Sequence, residues 1–366
     1  MTNRNDDRRI EGLDFARALA MLGMFIVNFG VITGSTTNGS TRLIALQNMF
    51  EGGRASAVFV MLAGIGTALM TRQARESKDP MLLRQNRLIL WKRSLLLFMI
   101  GIVLYAIGWT GDILHYYGVY MFVAAWLIAQ SKKRMMFIIG VILILSQWLQ
   151  IQFNYLAGWH PTYVLLEYLD FWTPVGFIRN LLFNGYHPLF PPWICFFLIG
   201  MLIGTLDLTN RTLRKILLVT GLLLVILTEA CSTVFIKMTT IHLLDVESAL
   251  YLFDTGPIPP NMMYVLSNSA SAIVLIVGSI YLVETYKNKV IQSLILTGQM
   301  SLTHYVGHVF IGIGILIVCQ KLENQTLAFS MLYACCYFLG CVFVSVWWRA
   351  KHHRGPLEFI MRKWSS

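Results

Sequence analysis

Apolar runs of about twenty residues, the length a helix needs to cross the hydrocarbon core of a bilayer, recur from one end of this chain to the other. With 56% hydrophobic and only 13% charged residues among 366, the sequence has too little polar material to coat a water-soluble fold of that size. It reads as an all-α polytopic membrane protein with about ten transmembrane helices. The runs are Phe15 to Val31, Ala55 to Met70, Ser94 to Trp109, His115 to Gln130, Met135 to Ile151, Trp193 to Thr205, Ile216 to Phe235, Met263 to Leu282, Ser301 to Cys319 and Ala328 to Trp347. No linker or fixed-period repeat divides them, so residues 1–366 read as a single membrane domain.

The formal net charge of +11 is explained by topology rather than by a nucleic-acid partner. Of the 29 Lys and Arg, 23 fall in one set of alternate connections: the N-terminus, residues 71–93, the SKKR turn, the DLTNRTLRK turn, Lys287 with Lys289, and the tail after Trp348. Cationic loops stay in the cytoplasm, which puts both termini there and the chain in the plasma membrane as a multi-pass protein. No A-x-A-like cleavage site follows the first run, so it is expected to be retained rather than removed as a signal peptide. The six cysteines show no spacing of a disulfide or zinc framework, and no metal is expected. The outer connection from 152 to 192 is aromatic-rich and broken by Pro161 and Pro174, which suggests short interfacial helices. Its Trp159, Tyr163, Tyr168, Trp172, Tyr186 and Trp193 read first as an aromatic belt at the membrane surface.

Polar residues inside apolar runs are costly and mark the places where chemistry or pairing compensates. In the first run, Asp14, Arg17, Met21, Met24 and Asn28 fall within an arc of about 80° on a 3.6-residue helix. That face must look into protein or water. Asp14 and Arg17 can form a structural ion pair one turn apart, or bound a polar cavity. In GDILHYYG, Asp112 either caps the fourth helix or orients the imidazole of His115, which lies three residues on. An oriented neutral histidine is a competent general base. Glu51 and Arg54 stand at the mouth of the second run, His187 precedes the sixth, and Glu229 lies near the end of the seventh. In TGQMSLTHYVGH, Gly298 and Ser301 suggest a helix break, while His304 and His308 share a face. That spacing can hold zinc, but no third ligand accompanies it, and hydrogen bonding inside the bundle is the expectation.

Five stretches together resemble the bacterial YeiB-like membrane family, also called domain of unknown function 418: LDFARALAMLGMFIVNFG, FEGGRASAVFVMLAGIG, NGYHPLFPPWICFFLIG, GQMSLTHY and GPLEFIMRKW. That family is similar to the heparan-alpha-glucosaminide acetyltransferases and more distantly to the acyltransferase-3 membrane proteins. The resemblance implies transfer of an acyl group, such as acetyl, from cytoplasmic acyl-CoA to an extracytoplasmic glycan or small molecule bearing a hydroxyl or amine. The acyltransferase-3 relatives carry an arginine and a histidine in the first span with ten residues between them. Here Arg17 has that spacing to Asn28, which takes no proton at neutral pH. The heparan-type enzymes use a histidine in the first outer loop, and residues 31–54 contain none. The base is therefore expected at His115, oriented by Asp112, with His187 second. Arg17 and Asn28 are expected at the acyl-CoA thioester, and Asp14, Glu51, Arg54, Glu229, His304 and His308 around the cavity. A transporter and a non-enzymatic scaffold or sensor are the alternatives, and a homodimer is left open.

Overall fold

The computed structural model describes residues 9–35, 44, 53–160 and 167–366. Among these, helices are α1 (Glu11–Ile32), α2 (Arg54–Met70), α3 (Arg72–Ser77), α4 (Pro80–Ala106), α5 (Leu114–Leu127), α6 (Lys132–Gln152), α7 (Pro174–Arg179) and α8 (Ile194–Gly204). They continue with α9 (Arg211–His242), α10 (Val246–Phe253), α11 (Met262–Thr285), α12 (Lys289–Gly298), α13 (Ser301–Val318), α14 (Leu327–Arg349) and α15 (Pro356–Ser365). No strand occurs among the described residues, only two isolated bridges. The chain is an all-α polytopic membrane protein. Seven described helices, α1, α4, α6, α9, α11, α13 and α14, are long and apolar enough to cross a bilayer. The three other expected spans form shorter helices, α2, α5 and α8, of 17, 14 and 11 residues.

Helix ends follow local chemistry. Asp79 accepts the backbone N–H of Met81 ahead of Pro80, and Ser131, Asn210, Asn288 and Thr326 cap α6, α9, α12 and α14 in the same way. The break expected at Gly298 is present: α12 stops there and α13 restarts at Ser301. Inside α13 the turn His308–Ile313 widens to π geometry, a feature common where side chains need re-aiming.

Contacts divide the described chain into two compact units, one of residues 1–50 with 273–359 and one of 51–272 with 360–366. In the first, α1 is the buried centre, with 61% of its apolar stretch covered, packing on α12 and α14. Phe15 joins Val283, Ile291 and Ile295 in one apolar cluster, and Phe25 and Phe29 meet Tyr337 edge-on. In the second unit, α2 crosses α8 at backbone contact: a Cβ on Gly64 would lie 2.1 Å from the Phe197 carbonyl oxygen, and one on Gly200 2.2 Å from that of Met61. Small residues at such crossings are how helices pack where no hydrophobic effect drives them together. By contrast, α9 has only 17% of its apolar stretch covered and exposes Leu223, Ile226, Leu227 and Met238. Such a face is stable only against lipid.

Candidate functional site

The second unit holds the Asp112–His115 pair. Asp112 lies just ahead of α5, and its Oδ2 accepts the backbone N–H of His115 at 3.0 Å and the imidazole Nδ1–H at 2.8 Å. Both readings of Asp112 therefore hold together: it satisfies the helix start and orients the ring. Both side chains are fully buried. A carboxylate only accepts, so the proton is fixed on Nδ1 and the lone pair on Nε2. Nε2 has no hydrogen-bond partner among the described residues. The approach of α4 makes this placement possible, since a Cβ on Gly101 would sit 2.2 Å from the His115 nitrogen and 2.5 Å from Asp112 Oδ2.

Aromatic rings enclose the imidazole. Tyr116 lies against it at 3.9 Å between ring centroids, and Tyr105 meets it edge-on at 5.8 Å while stacking at 3.5 Å on Phe171. The Tyr105 hydroxyl is also without a partner among the described residues. Tyr116 donates its hydroxyl hydrogen to Asn180 Oδ1 at 2.6 Å and accepts the backbone N–H of Tyr186 at 3.1 Å. Tyr120 donates to the His187 carbonyl and Tyr155 to that of Gly185. Three buried tyrosines thus strap the NGYHP segment to the site. Asn180, its carbonyl used by Tyr116, keeps an amide nitrogen with no partner among the described residues.

His187 is buried against Trp193, ring centroids 4.4 Å apart, and its Nδ1 is unpartnered among the described residues. It lies outside the spans, and burial, with His115 nearby as the lesser cause, pushes its pKa down to about 3. It is neutral at physiological pH, and a far weaker base than an ordinary imidazole.

The aromatic-belt expectation is corrected for three of its members. Trp159, Tyr168 and Trp193 are buried, and the polar atoms of the first two have partners inside the protein. The Trp159 indole donates to the Asn184 carbonyl at 2.7 Å, and the Tyr168 hydroxyl donates to the Asn184 side chain at 2.9 Å. Trp172 alone of the described set is largely exposed, at 67%. The expected short helices of the connection are present as α7 and the π turns Asn180–Asn184 and Leu189–Trp193.

Elsewhere in this unit, Arg54 lies 3.6 Å from Glu229, and Glu229 also accepts from Ser267 at 2.6 Å and Thr255 at 2.9 Å. Glu51, expected beside Arg54, is outside the described residues.

In the first unit the polar face of α1 points into protein, Met21 and Met24 included. Asp14 pairs with Arg17 at 2.6 Å, as the spacing indicates, but also with Arg9 at 2.6 and 3.0 Å and with Gln299 at 3.4 Å. Gln299 in turn accepts from Arg349 at 2.8 Å. Asn28 donates its amide to His308 Nε2 at 3.1 Å, and the His308 Nδ1–H goes to the Tyr305 carbonyl. His304 bonds Ser345 at 2.6 Å. The two histidines are thus held by hydrogen bonds inside the bundle. Among the described residues no three of His, Cys, Asp or Glu are grouped to hold a metal.

Sequence reasoning missed Tyr105, Tyr116 and Asn180. Tyr116 stood beside His115 in GDILHYYG, and Asn180 was a lone amide in the apolar run FIRNLLF. Either was a findable signal.

No curated protein matches the chain. The family described as heparan-alpha-glucosaminide N-acetyltransferase, catalytic, matches residues 9–217, more than half the chain and all of the Asp112–His115 environment. The family described as protein of unknown function (DUF418) matches residues 203–366. Between them these matches cover the described sequence from the first arginine of the Asp14 network to the last helix, and the chain belongs to the YeiB-like, DUF418 membrane family related to the heparan-alpha-glucosaminide N-acetyltransferases.

Proposed function

We propose that the protein transfers an acyl group, acetyl in the simplest case, from cytoplasmic acyl-CoA to a hydroxyl or amine on an extracytoplasmic sugar or similar small acceptor, with both chain termini in the cytoplasm. The single observation that carries this reading is the buried Asp112–His115 pair, with the carboxylate on Nδ1 and no partner on Nε2 among the described residues. That is the arrangement a general base needs, and the acetyltransferase family match covers it.

His115 Nε2 takes the acceptor's proton as its oxygen or nitrogen attacks the thioester carbonyl carbon. The carbonyl π electrons move onto oxygen and, as they return, the carbon–sulfur bond breaks. The leaving thiolate recovers the proton from His115, giving CoA–SH and the acylated acceptor. Asp112 holds the tautomer and stabilises the transient imidazolium. The free amide N–H of Asn180 and the Tyr105 hydroxyl are the donors suited to the developing oxyanion, in the role first expected of Asn28 and Arg17. Those two are engaged by His308 and Asp14. His187, neutral and unpartnered on Nδ1, serves to hydrogen-bond a substrate rather than to accept its proton.

The test is transfer of labelled acetyl from acetyl-CoA to glucosamine and to a panel of hydroxyl sugars by proteoliposomes. His115→Ala should reduce transfer per folded molecule to background. Undiminished transfer by that variant would sink the assignment.

A further inference from the structure

We propose that the turn joining α14 to α15 is the binding site for the phosphorylated nucleotide end of the acyl-CoA donor. This rests on the acyl-transfer reading for the identity of the ligand, and on the first unit alone for its geometry.

A cavity of about 630 Å³ opens at this turn, lined among others by Trp348, Lys351, His352, His353, Arg354 and Phe359. That volume is in the range of sites for nucleotide-sized ligands. Its charge is one-sided. Lys351 lies over the Trp347 ring at 5.3 Å, and neither it nor Arg354 has a carboxylate partner among the described residues. Glu358, the carboxylate on the same turn, is consumed elsewhere: it accepts the backbone N–H groups of Leu302 at 2.8 Å and Thr303 at 3.1 Å, and the Thr303 hydroxyl at 2.6 Å. The described residues that line the cavity thus include Lys351 and Arg354 and no carboxylate, while Glu358, which lies beside Gly355 of the wall, has both oxygens engaged at the start of α13.

The turn is also built before any ligand arrives. The Trp348 indole donates to the Arg354 carbonyl at 2.8 Å, Arg349 donates to the His352 carbonyl at 3.1 Å, and the Leu357 backbone N–H is held by Thr303 at 3.1 Å. His352 stacks on Trp348 at 4.2 Å. Preordering of this kind removes part of the entropic cost of binding. A topogenic cluster of cations needs neither a cavity nor a fixed frame. Aromatic walls go further: Phe359 is 58% exposed, and with Trp348 it offers the π faces on which a purine stacks. Phosphate recognised by Lys and Arg beside a stacked base is nucleotide chemistry. A lipid headgroup shares the phosphate but not the base.

The full-length protein in detergent is titrated with adenosine 3′,5′-bisphosphate, and in parallel with glycerophosphoglycerol as the headgroup control. The bisphosphate should bind with an affinity that falls as salt rises, and the double variant Lys351→Glu/Arg354→Glu should weaken it by at least about tenfold. Phe359→Ala, which removes a half-exposed ring and leaves the charges, should weaken it severalfold while the thermal midpoint holds. Failure of the bisphosphate to bind, or equal binding of glycerophosphoglycerol, would overturn the proposal. Acetyl transfer in the same preparations separates this site from the reaction. Transfer that continues in the double variant with an unchanged KM for acetyl-CoA removes the nucleotide site and leaves the chemistry standing. Bisphosphate binding that the double variant loses, in protein that transfers no acetyl group, supports the site and removes the acyltransferase.

Discussion

Two acidic residues, Asp14 and Asp112, each stand three positions before a basic side chain, and the protein treats them in opposite ways. Asp14 is wrapped by Arg9, Arg17 and Gln299, so its carboxylate oxygens are fully occupied. Asp112 orients His115, whose distal nitrogen, like the Tyr105 hydroxyl and the Asn180 amide nitrogen, has no partner among the described residues. A buried polar group without a partner costs stability, about 1–3 kcal/mol each by mutational measures. The Asp14 carboxylate is saturated, whereas the histidine that Asp112 orients keeps an acceptor nitrogen with no partner among the described residues. Saturation of the carboxylate by cations and an amide, not the presence of charge in an apolar helix, distinguishes the first site from the second.

The contrast can be broken most directly at Asp112. Asp112→Asn should lower acetyl transfer by about 10²- to 10⁴-fold, because an amide no longer enforces the reactive tautomer, with little change in the unfolding midpoint. If Asp14→Ala did the same, the division would be false. Asp14→Ala is expected instead to destabilise the folded protein in detergent by about 3 kcal/mol or more, since it leaves Arg17 uncompensated, with transfer per folded molecule retained. A smaller effect concerns pH. The His187 pKa is depressed to about 3 in the fold and near 6.5 when unfolded, so the unfolded chain binds the proton first as pH falls. The contribution is fully present above about pH 6.5 and should decline by on the order of 2 kcal/mol by pH 5, a slope that His187→Gln should flatten in acid unfolding measurements. The smallest is Asn28→Ala, expected to cost about 1 kcal/mol in thermal unfolding by removing its hydrogen bond to His308 Nε2, again without loss of transfer.

What the sequence made legible is what depends on short spacing. The pairing of Asp14 with Arg17 and of Asp112 with His115 follows from three-residue separations on a helix, and the break near Gly298 from a local loss of pattern. Gln299, Arg349 and His308 reach α1 from hundreds of residues away, and no periodicity announces such meetings. The polar face of α1 suggested a cavity, and its Asp14 and Asn28 meet Gln299 and His308 from distant segments. The described partner of Arg54, Glu229, likewise lies far along the chain. The aromatic connection misled differently. Tryptophan and tyrosine suit both a membrane surface and a core, and for Trp159 the Asn184 carbonyl within reach of the indole, which no pattern announces, supports the core.

The sparsely covered helix α9 carries a consequence of another kind. Its 32 residues span about 48 Å, against a hydrocarbon thickness of about 30 Å. Its apolar run, Ile216 to Phe235, covers only about 30 Å of that length, so the ends carrying Arg211, Arg214, Lys215 and Lys237 extend past the hydrocarbon into the headgroups. With only 17% of its apolar stretch covered by protein, this helix is the element that a thicker or thinner bilayer should tilt first, its basic ends acting as the anchors.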